Sequence, residues 1–205
     1  MLFRSARYNT NLSRVDYSGN NLYRDILSQI RDWQICASLD GTGQIGEYIR
    51  TGLVYSVFLN NFKQGLEYAT HPRQMRLDFT LTLPGMFEIK NMQQLAQELN
   101  VQMLAKVVFS FSPDIVMSPL ALPREILDPW IDELMPHTAG DIKEVLLQLK
   151  KRPTFAEQWP NEYRAGLAKG KARVLKLEQI RNQSVTMADI LAARPEVLKW
   201  WLEIE

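Results

Sequence analysis

The feature that most constrains the fold is an alternation of strand-like and helix-like runs from the start of the chain to about Met135. Strand spacing or short apolar runs occur in LFRSARYNTN, WQICAS, residues 75–83 and VQMLAKVVFSF. Each is followed by apolar residues at helical spacing, over residues 22–30, 54–66, 89–99 and 126–134. Asn20 and Asn21 are predicted to cap the first helix, and Pro123 to lie in the first turn of the fourth.

Four consecutive strand–helix units predict an α/β fold with parallel strands joined by right-handed crossovers. Two architectures satisfy that pattern: an open doubly wound sheet, and an arc of a β/α barrel. In both of them, ligands bind at the carboxyl ends of the strands.

The character of the chain changes after His137, because strand patterns are absent there. Helices are predicted over residues 142–149 and 155–181, and a last one from Thr186 is interrupted by Pro195. We therefore predict a strand–helix domain over residues 1–137 and a helical C-terminal extension over residues 138–205. The basic run of the long helix is predicted to form a solvated surface, and two tryptophans to anchor the terminal segment in the core. These residues are Lys169, Lys171, Arg173 and Lys176, and Trp200 and Trp201.

Composition excludes several classes of function for this 205-residue chain. The formal net charge of +1 gives no reason to expect a nucleic-acid or acidic-membrane partner. No apolar run approaches the roughly 20 residues that span a bilayer, and the first residues lack a signal-peptide core. A single cysteine, Cys36, allows neither an internal disulfide nor a multi-cysteine metal site, and is expected to be a small buried residue. The expected location is cytoplasmic.

The predicted strands end in polar residues, as a hydrogen-bonding pocket for a small polar ligand requires. The exposure of strand ends is an alternative explanation for this polarity. The four ends read Asn9-Thr10-Asn11, Ser38-Leu39-Asp40, Thr80-Leu81-Thr82 and Ser110-Phe111-Ser112.

The segment ICASLDGTGQIGEYIRTG contains a G-x-G-x-x-G motif, at Gly41, Gly43 and Gly46. A dinucleotide-binding fold needs the first glycine at the end of the strand, a helix at the third, and an acidic residue about 20 positions further on, at the next strand. Here Asp40 precedes the first glycine, and the acidic spacing falls near Glu67, inside a predicted helix. The helix is also predicted to begin only after Gly52. The context therefore argues against dinucleotide binding.

The same stretch, SLDG followed by a glycine-bearing loop and EYIRTG, resembles the fourth strand and following loop of radical S-adenosylmethionine enzymes of the SPASM/twitch branch. YNTNLS resembles the end of the third strand in these enzymes. LTLPGMFEIKNM and VVFSFSPDIVMSPLALPREIL resemble the fifth and sixth strands, and VTMADILAARPEVLKWW resembles the end of the chain. The resemblance implies a partial (β/α) barrel, from the third strand onward, over residues 1–137.

The resemblance also implies a cofactor site. Ser38 and Arg50 match the positions that bind the methionyl carboxylate of S-adenosylmethionine, and a guanidinium can bind two carboxylate oxygens at once. Asp40 matches an acidic residue that either orients the loop or faces the methionyl amine. Asn11, Thr82 and Ser110 are further pocket candidates, although Thr10 and Asn11 equally suit a turn. Without the resemblance, Arg50 is a surface arginine and Ser38 a strand end.

Radical chemistry in this family depends on a four-iron, four-sulfur cluster held by a C-x-x-x-C-x-x-C motif. The cluster passes an electron to S-adenosylmethionine, whose cleavage yields the radical that abstracts hydrogen from the substrate. One cysteine cannot hold such a cluster, so this chain alone is predicted to bind no iron, to ligate no metal and to be inactive. We expect it to be a truncated or split portion of a longer enzyme, whose cluster-bearing N-terminal half or another polypeptide covers its sheet edge.

Two alternatives remain open. One is a non-catalytic binding or partner module derived from the same barrel. The other is an unrelated β/α-barrel enzyme that uses acid–base chemistry, which is disfavoured because His71 and His137 lie in loops beside prolines. No catalytic residue is assigned. The substrate stays open among peptides, carbohydrates and nucleotide-derived molecules, with peptide modification favoured by the type of extension.

Overall fold

The computed structural model describes residues 5–108, 112–182 and 184–205. Four strands form one sheet in the order β1-β4-β5-β6, and its described β1–β4 and β4–β5 pairs are parallel, as predicted. Two short strands, β2 and β3, form an antiparallel hairpin. The six strands are β1 (Ser5–Thr10), β2 (Asp16–Tyr17), β3 (Asn20–Asn21), β4 (Asp32–Ser38), β5 (Met75–Leu81) and β6 (Gln102–Val107).

Helices follow β4, β5 and β6, and helices alone occur in the described part of the chain after residue 137. They are α1 (Gly43–Ile49), α2 (Tyr55–Tyr68), α3 (Ile89–Glu98), α4 (Arg124–Leu134), α5 (Gly140–Lys151), α6 (Phe155–Gln158), α7 (Tyr163–Arg181), α8 (Met187–Leu191) and α9 (Pro195–Leu202). The α/β class is therefore confirmed. The predicted single helix over residues 155–181 is divided in two, because Pro160 lies between α6 and α7 and cannot continue a helix.

The first predicted helix is not a regular α-helix. Leu22–Ile26 forms a π-helical turn and Leu27–Gln29 a 3₁₀ turn, which together bury Tyr23 and Leu27 completely. Asn21 does cap this segment as predicted, because its side-chain oxygen accepts hydrogen bonds from the backbone N–H groups of Tyr23 and Arg24, at 2.9 and 3.0 Å. The apolar spacing thus identified Tyr23 and Leu27 as buried, but Ile26 is 47% exposed and the helix is not of the predicted type.

The strands β1, β4 and β5 have one apolar face and one polar face. In register across the apolar face lie Tyr8, Ile35 and Met75, and the next row contains Ala37 and Leu77. We call the opposite side the polar face; it carries Ser5, Arg7, Asn9, Asp32, Gln34, Cys36, Ser38, Arg76 and Asp78. Parallel strands are usually apolar on both faces in doubly wound sheets and in β/α barrels alike, so this polarity does not distinguish the two predicted architectures. Cys36 is half-buried on the polar face rather than buried, which corrects the expectation for it.

The chain divides into two compact units, residues 1–80 with 91–104, and residues 81–90 with 105–205. The predicted boundary near residue 137 falls inside the second of them. In the first unit, α2 covers the apolar face of the sheet. A Cβ atom at Gly65 would lie 2.7 Å from the Met75 methyl group, and Phe58 and Phe62 of the same helix are fully buried. Asn61 donates a 2.7 Å hydrogen bond to the Leu12 carbonyl, which fixes the segment after β1 against α2.

The second unit packs the long helix α7 closely against residues 113–116. A Cβ atom at Gly170 would lie 2.4 Å from the Asp114 carbonyl oxygen, so glycine permits this approach. The Asp114 carboxylate pairs with Lys169 at 3.3 Å and with Arg173 at 2.7 Å, while both basic side chains stay more than half exposed. Lys169 and Arg173 are thus solvated, as predicted, and Lys176 is exposed as well, but Lys171 is half-buried and its ammonium donates a 2.7 Å hydrogen bond to the Ile204 carbonyl. Trp200 and Trp201 are buried, which confirms their expected role as anchors. No helix in the described parts of the chain is both long and apolar enough to cross a bilayer.

An ion pair in the second unit predicts how stability depends on pH. The Glu157 carboxylate lies 2.6 Å from Arg124 Nη2 and accepts a 2.7 Å hydrogen bond from the Thr154 backbone N–H. These interactions, with Arg124 the larger, lower the pKa of Glu157 from its ordinary 4.5 to about 2. A carboxyl whose pKa is lowered on folding stabilises the fold above its unfolded pKa, and this contribution is lost as the pH falls from about 4.5 towards 2.

We expect Glu157→Gln to lower the free energy of unfolding by about 0.5–1 kcal/mol at pH 7, because the half-exposed pair is screened by solvent. The difference from wild type should shrink steadily as the pH falls from about 4.5 towards 2. Urea unfolding at several pH values measures both. Glu144→Gln is the matched control, since Glu144 is exposed on α5 and has no ion pair among the described residues. A difference that stays constant down to pH 2 would contradict this assignment.

Candidate functional site

The candidate site lies where the chain leaves the carboxyl end of β4. The Leu39 N–H donates a 3.0 Å hydrogen bond to the Asp78 carbonyl, so pairing with β5 extends one residue beyond the strand. The chain then passes through a tight loop into α1, which ends where the Arg50 N–H donates to the Gly46 carbonyl at 3.0 Å. The loop and helix together carry Arg50 back to the strand end.

Two of the motif glycines are required by this geometry. Gly43 begins α1 with a φ of +49°, in the left-handed region that glycine adopts without strain. At Gly46, a Cβ atom would lie only 2.1 Å from the Gly41 carbonyl oxygen. The predicted extended loop up to Gly52 is wrong, since α1 occupies residues 43–49. Glycine has the lowest helix propensity after proline. Because two of the seven residues of α1 are glycines, the sequence did not predict this helix.

Asp40 is the centre of a buried polar contact that joins three parts of the first unit. Its Oδ2 lies 2.8 Å from Arg50 Nε, and its Oδ1 accepts a 2.8 Å hydrogen bond from the Thr80 backbone N–H in β5. Only 8% of the Asp40 side chain is exposed. This carboxylate therefore ties the loop, the end of α1 and the neighbouring strand together. We call the Asp40–Arg50–Thr80 contact the carboxylate clamp.

The shortest contact of the clamp with Arg50 is through Nε, which is buried and close to Asp40 but makes no hydrogen bond of ordinary geometry. A guanidinium carries five N–H donors in a planar fork, and it can bind acceptors along more than one edge. No other residue in the described parts of the chain bonds to the Arg50 side chain, of which 28% is exposed. The terminal nitrogens are therefore available to a second anion while Asp40 holds the first edge.

Ser38 precedes the clamp by two residues and is the last residue of β4. It is half-buried on the polar face, in register with Asp78. Its hydroxyl makes no hydrogen bond to any residue that the structure describes. A hydroxyl that can both donate and accept therefore lies at this strand end, as a polar ligand would require.

The other predicted site residues hold turns. Thr10 accepts a hydrogen bond from the Leu12 N–H at 3.1 Å, and Asn11 accepts one from the Ser13 N–H at 3.2 Å, which is the turn role left open for them. Thr82 is buried in the second unit and accepts a 3.0 Å hydrogen bond from the Gly85 N–H. Ser110 lies outside the described residues. The structure thus brings Asp40 and Arg50 into contact, and it gives Asn11 and Thr82 local backbone partners.

Sequence reasoning missed the polar face, although its signal is visible in the strands. Polar residues occupy every second position of SARYN, DWQICAS and MRLDF, so one face of each strand is apolar and the other is not. It also missed Thr80, whose contribution to the clamp is a backbone N–H. A backbone donor leaves no signal in the residue type.

Groups of three or more potential metal-ligating side chains are absent from the described parts of the chain. His71 is exposed in the loop before β5, and His137 lies in the turn that follows α4. No protein-family model matches this chain, and no match is found among the curated proteins or the solved structures.

Proposed function

We propose that this chain carries the S-adenosylmethionine-binding strands of a radical S-adenosylmethionine enzyme of the SPASM/twitch branch. The observation that carries the proposal is the carboxylate clamp, which holds Arg50 by one edge at the end of β4 and leaves its terminal nitrogens for a ligand. The motif SLDG…YIRTG supplies Ser38, Asp40 and Arg50 at the positions that the resemblance requires.

The residues suit the amino-acid end of this cofactor. A carboxylate bound by Arg50 gains two parallel N–H···O bonds, and the Ser38 hydroxyl can donate a third. Asp40 already accepts from Thr80 and pairs with Arg50, which favours the role of orienting the loop over a contact with the methionyl amine. Asp40 is therefore proposed as a positioning residue.

The proposed architecture is a partial barrel. In a β/α barrel the outer face of the strands packs against helices, and the ligand binds at the carboxyl ends of the strands. Here α2 packs on the apolar face, and the opposite face is polar from β1 to β5. In this arrangement the polar face is the inner one.

S-adenosylmethionine supplies hydrogen-atom abstraction when an iron–sulfur cluster reduces it. This chain's residues bind and orient the amino-acid end of the cofactor. The cluster ligands belong to a cluster-bearing N-terminal half, in line with the single cysteine here. Abstraction therefore requires that half, and the favoured substrate class is a peptide or protein.

A non-catalytic partner module is the second candidate, and the exposure of β1 favours it. Strand β1 is at one end of the described sheet, four of its six residues are exposed, and 44% of Tyr8 is exposed. An open parallel edge is a site for pairing with another chain. The two candidates differ in one respect, since only the first requires that the chain bind the cofactor.

Isothermal titration of the purified chain with S-adenosylmethionine tests the proposal. We expect saturable binding, and we expect Arg50→Lys to weaken it about tenfold to hundredfold. Lysine keeps the charge that pairs with Asp40 but cannot bind a carboxylate bidentately, and a charged hydrogen bond contributes about 1.5–3 kcal/mol.

The control for this titration is Arg31→Lys, because Arg31 is exposed at the opposite end of β4. It should leave the affinity unchanged. A folded wild-type chain that binds no cofactor at millimolar concentration would contradict the proposal and favour the partner module. An equal loss of affinity in both variants would show that Arg50 has no specific role in binding the cofactor.

A further inference from the structure

A second polar site lies in the first unit, at the amino-terminal ends of the strands. A cavity of about 280 Å³ opens there between β1, β4 and the loop that precedes β5. Six polar side chains line it: Arg7, Asp32, Gln34, His71, Arg73 and Arg76. This end of the sheet is opposite to the carboxylate clamp, so the two sites are distinct.

The cavity has an excess of positive charge. Three guanidinium groups line it against a single carboxylate, that of Asp32, and 60% of the Asp32 side chain is exposed. Within the described ranges, none of the three arginines forms an ion pair. Clustered like charges repel one another unless an anion neutralises them, and a concave wall focuses their field on that anion.

Arg76 provides the most specific observation. Its Nε is fully buried, yet the N–H has no acceptor among the described residues. Buried donors are almost always hydrogen-bonded, because an unsatisfied one costs the free energy of its lost hydration. On the polar face Arg76 is in register with Cys36, and one row closer to the amino ends Arg7 is in register with Gln34. Both arginines therefore project from the face that forms the cavity wall.

The loop before β5 holds two more donors of the cavity wall in place, His71 and Arg73. Gln74 is 1% exposed, and its side-chain oxygen accepts from the Thr70 N–H at 2.6 Å. Gln34 Nε2 donates to the Arg73 carbonyl at 2.7 Å, which fastens the loop to β4. The Arg73 N–H donates to His71 Nδ1 at 3.3 Å, so a neutral His71 ring carries its proton on Nε2. That nitrogen is 4.0 Å from Asp32 Oδ1, beyond hydrogen-bonding distance.

We propose that this cavity binds a phosphate group. Guanidinium groups bind phosphate oxygens bidentately, and a doubly charged tetrahedral anion matches three cations opposed by one carboxylate. The buried Arg76 N–H gains its missing acceptor. At about 280 Å³ the cavity is just below the roughly 300–1,000 Å³ of small-molecule pockets, so it holds a phosphate-sized group rather than a whole nucleotide. This site does not depend on the proposed cofactor function.

Titration of the full chain with inorganic phosphate tests the site, followed by calorimetry or by amide chemical shifts at constant ionic strength. We expect saturable binding with the largest shifts around residues 71–76. Arg76→Gln and Arg7→Gln should each weaken phosphate binding about tenfold or more, because each removes a charged donor. Arg181→Gln, the same change at the end of α7 in the other unit, should have no effect.

Two results would overturn the assignment. One is the absence of saturable phosphate binding by the folded wild-type chain. The other is equal affinity for acetate, which would show that the cavity accepts any small anion. Arg76→Lys is the control for misfolding of Arg76→Gln. It keeps the charge and should retain an intermediate affinity for phosphate. An affinity for phosphate unchanged in both Arg76 variants would equally contradict the proposal.

Discussion

Gly46→Ala is expected to lower the free energy of unfolding by about 3 kcal/mol, the upper end of the usual cost of overpacking a closely packed site. The added methyl group would lie 2.1 Å from the Gly41 carbonyl oxygen. Both atoms belong to or adjoin the backbone, so no side-chain rotation can relieve the overlap. The loop has to move away from α1, and this movement displaces Arg50 from the end of β4.

Gly43→Ala is the matched control for Gly46→Ala, because both glycines belong to α1 and to the same motif. Nothing lies within 4 Å of a Cβ atom at Gly43, and only its left-handed φ of +49° opposes the substitution. That strain costs about 1 kcal/mol. Urea unfolding of the three proteins gives the comparison. Equal losses in the two variants would mean that backbone conformation, rather than the contact with Gly41, requires the glycines.

The strands and most helices were predictable because their apolar residues repeat with a clear period. The alternation in MRLDFTL and the four-residue repeat of Phe58 and Phe62 each reflect burial on one side, and burial is what the periodicity records. Helix α1 was not predicted, because its residues lack such a period. Its close approach to Gly41 leaves no room for a side chain at Gly46, and the residue type that permits this approach also has a poor helix propensity.

The site was predictable only in part, because its contacts are not local. Asp40 and Arg50 are ten positions apart, and nothing in their spacing indicates that they pair. The resemblance named both residues as candidates, but it left open whether Asp40 orients the loop or faces a ligand. The Thr80 backbone N–H favours the first role, and this contact depends on the register between β4 and β5.

The phosphate cavity depends on register even more strongly. Arg7 and Arg76 are about 70 residues apart in sequence, and they share the polar face because β1 and β5 both pair with β4. A shift of one residue in either pairing would turn one arginine to the apolar face. The charges are visible in the sequence, but their convergence on one cavity follows only from the assembled sheet.

Asp40→Ala is expected to cost about 3 kcal/mol of unfolding free energy, at the lower end of the range for breaking a buried ion pair. The substitution removes both acceptors of the carboxylate clamp. It leaves the Thr80 N–H without its partner and the Arg50 guanidinium without its counter-charge. The cost stays near the lower end because 28% of the Arg50 side chain is exposed, so water compensates part of the lost interaction.

Asp40→Asn separates the two contributions of the clamp. The amide keeps an oxygen that can accept from the Thr80 N–H, but it carries no charge for Arg50, so we expect roughly half the loss seen with alanine, in keeping with the smaller contribution of a neutral hydrogen bond. Urea unfolding at pH 7 measures all three proteins. Because the clamp also holds Arg50 at the end of β4, the alanine variant should weaken S-adenosylmethionine binding as well. Wild-type stability in the alanine variant would mean that the clamp does not hold the loop. It would also contradict the proposal that Asp40 positions Arg50 to bind a ligand.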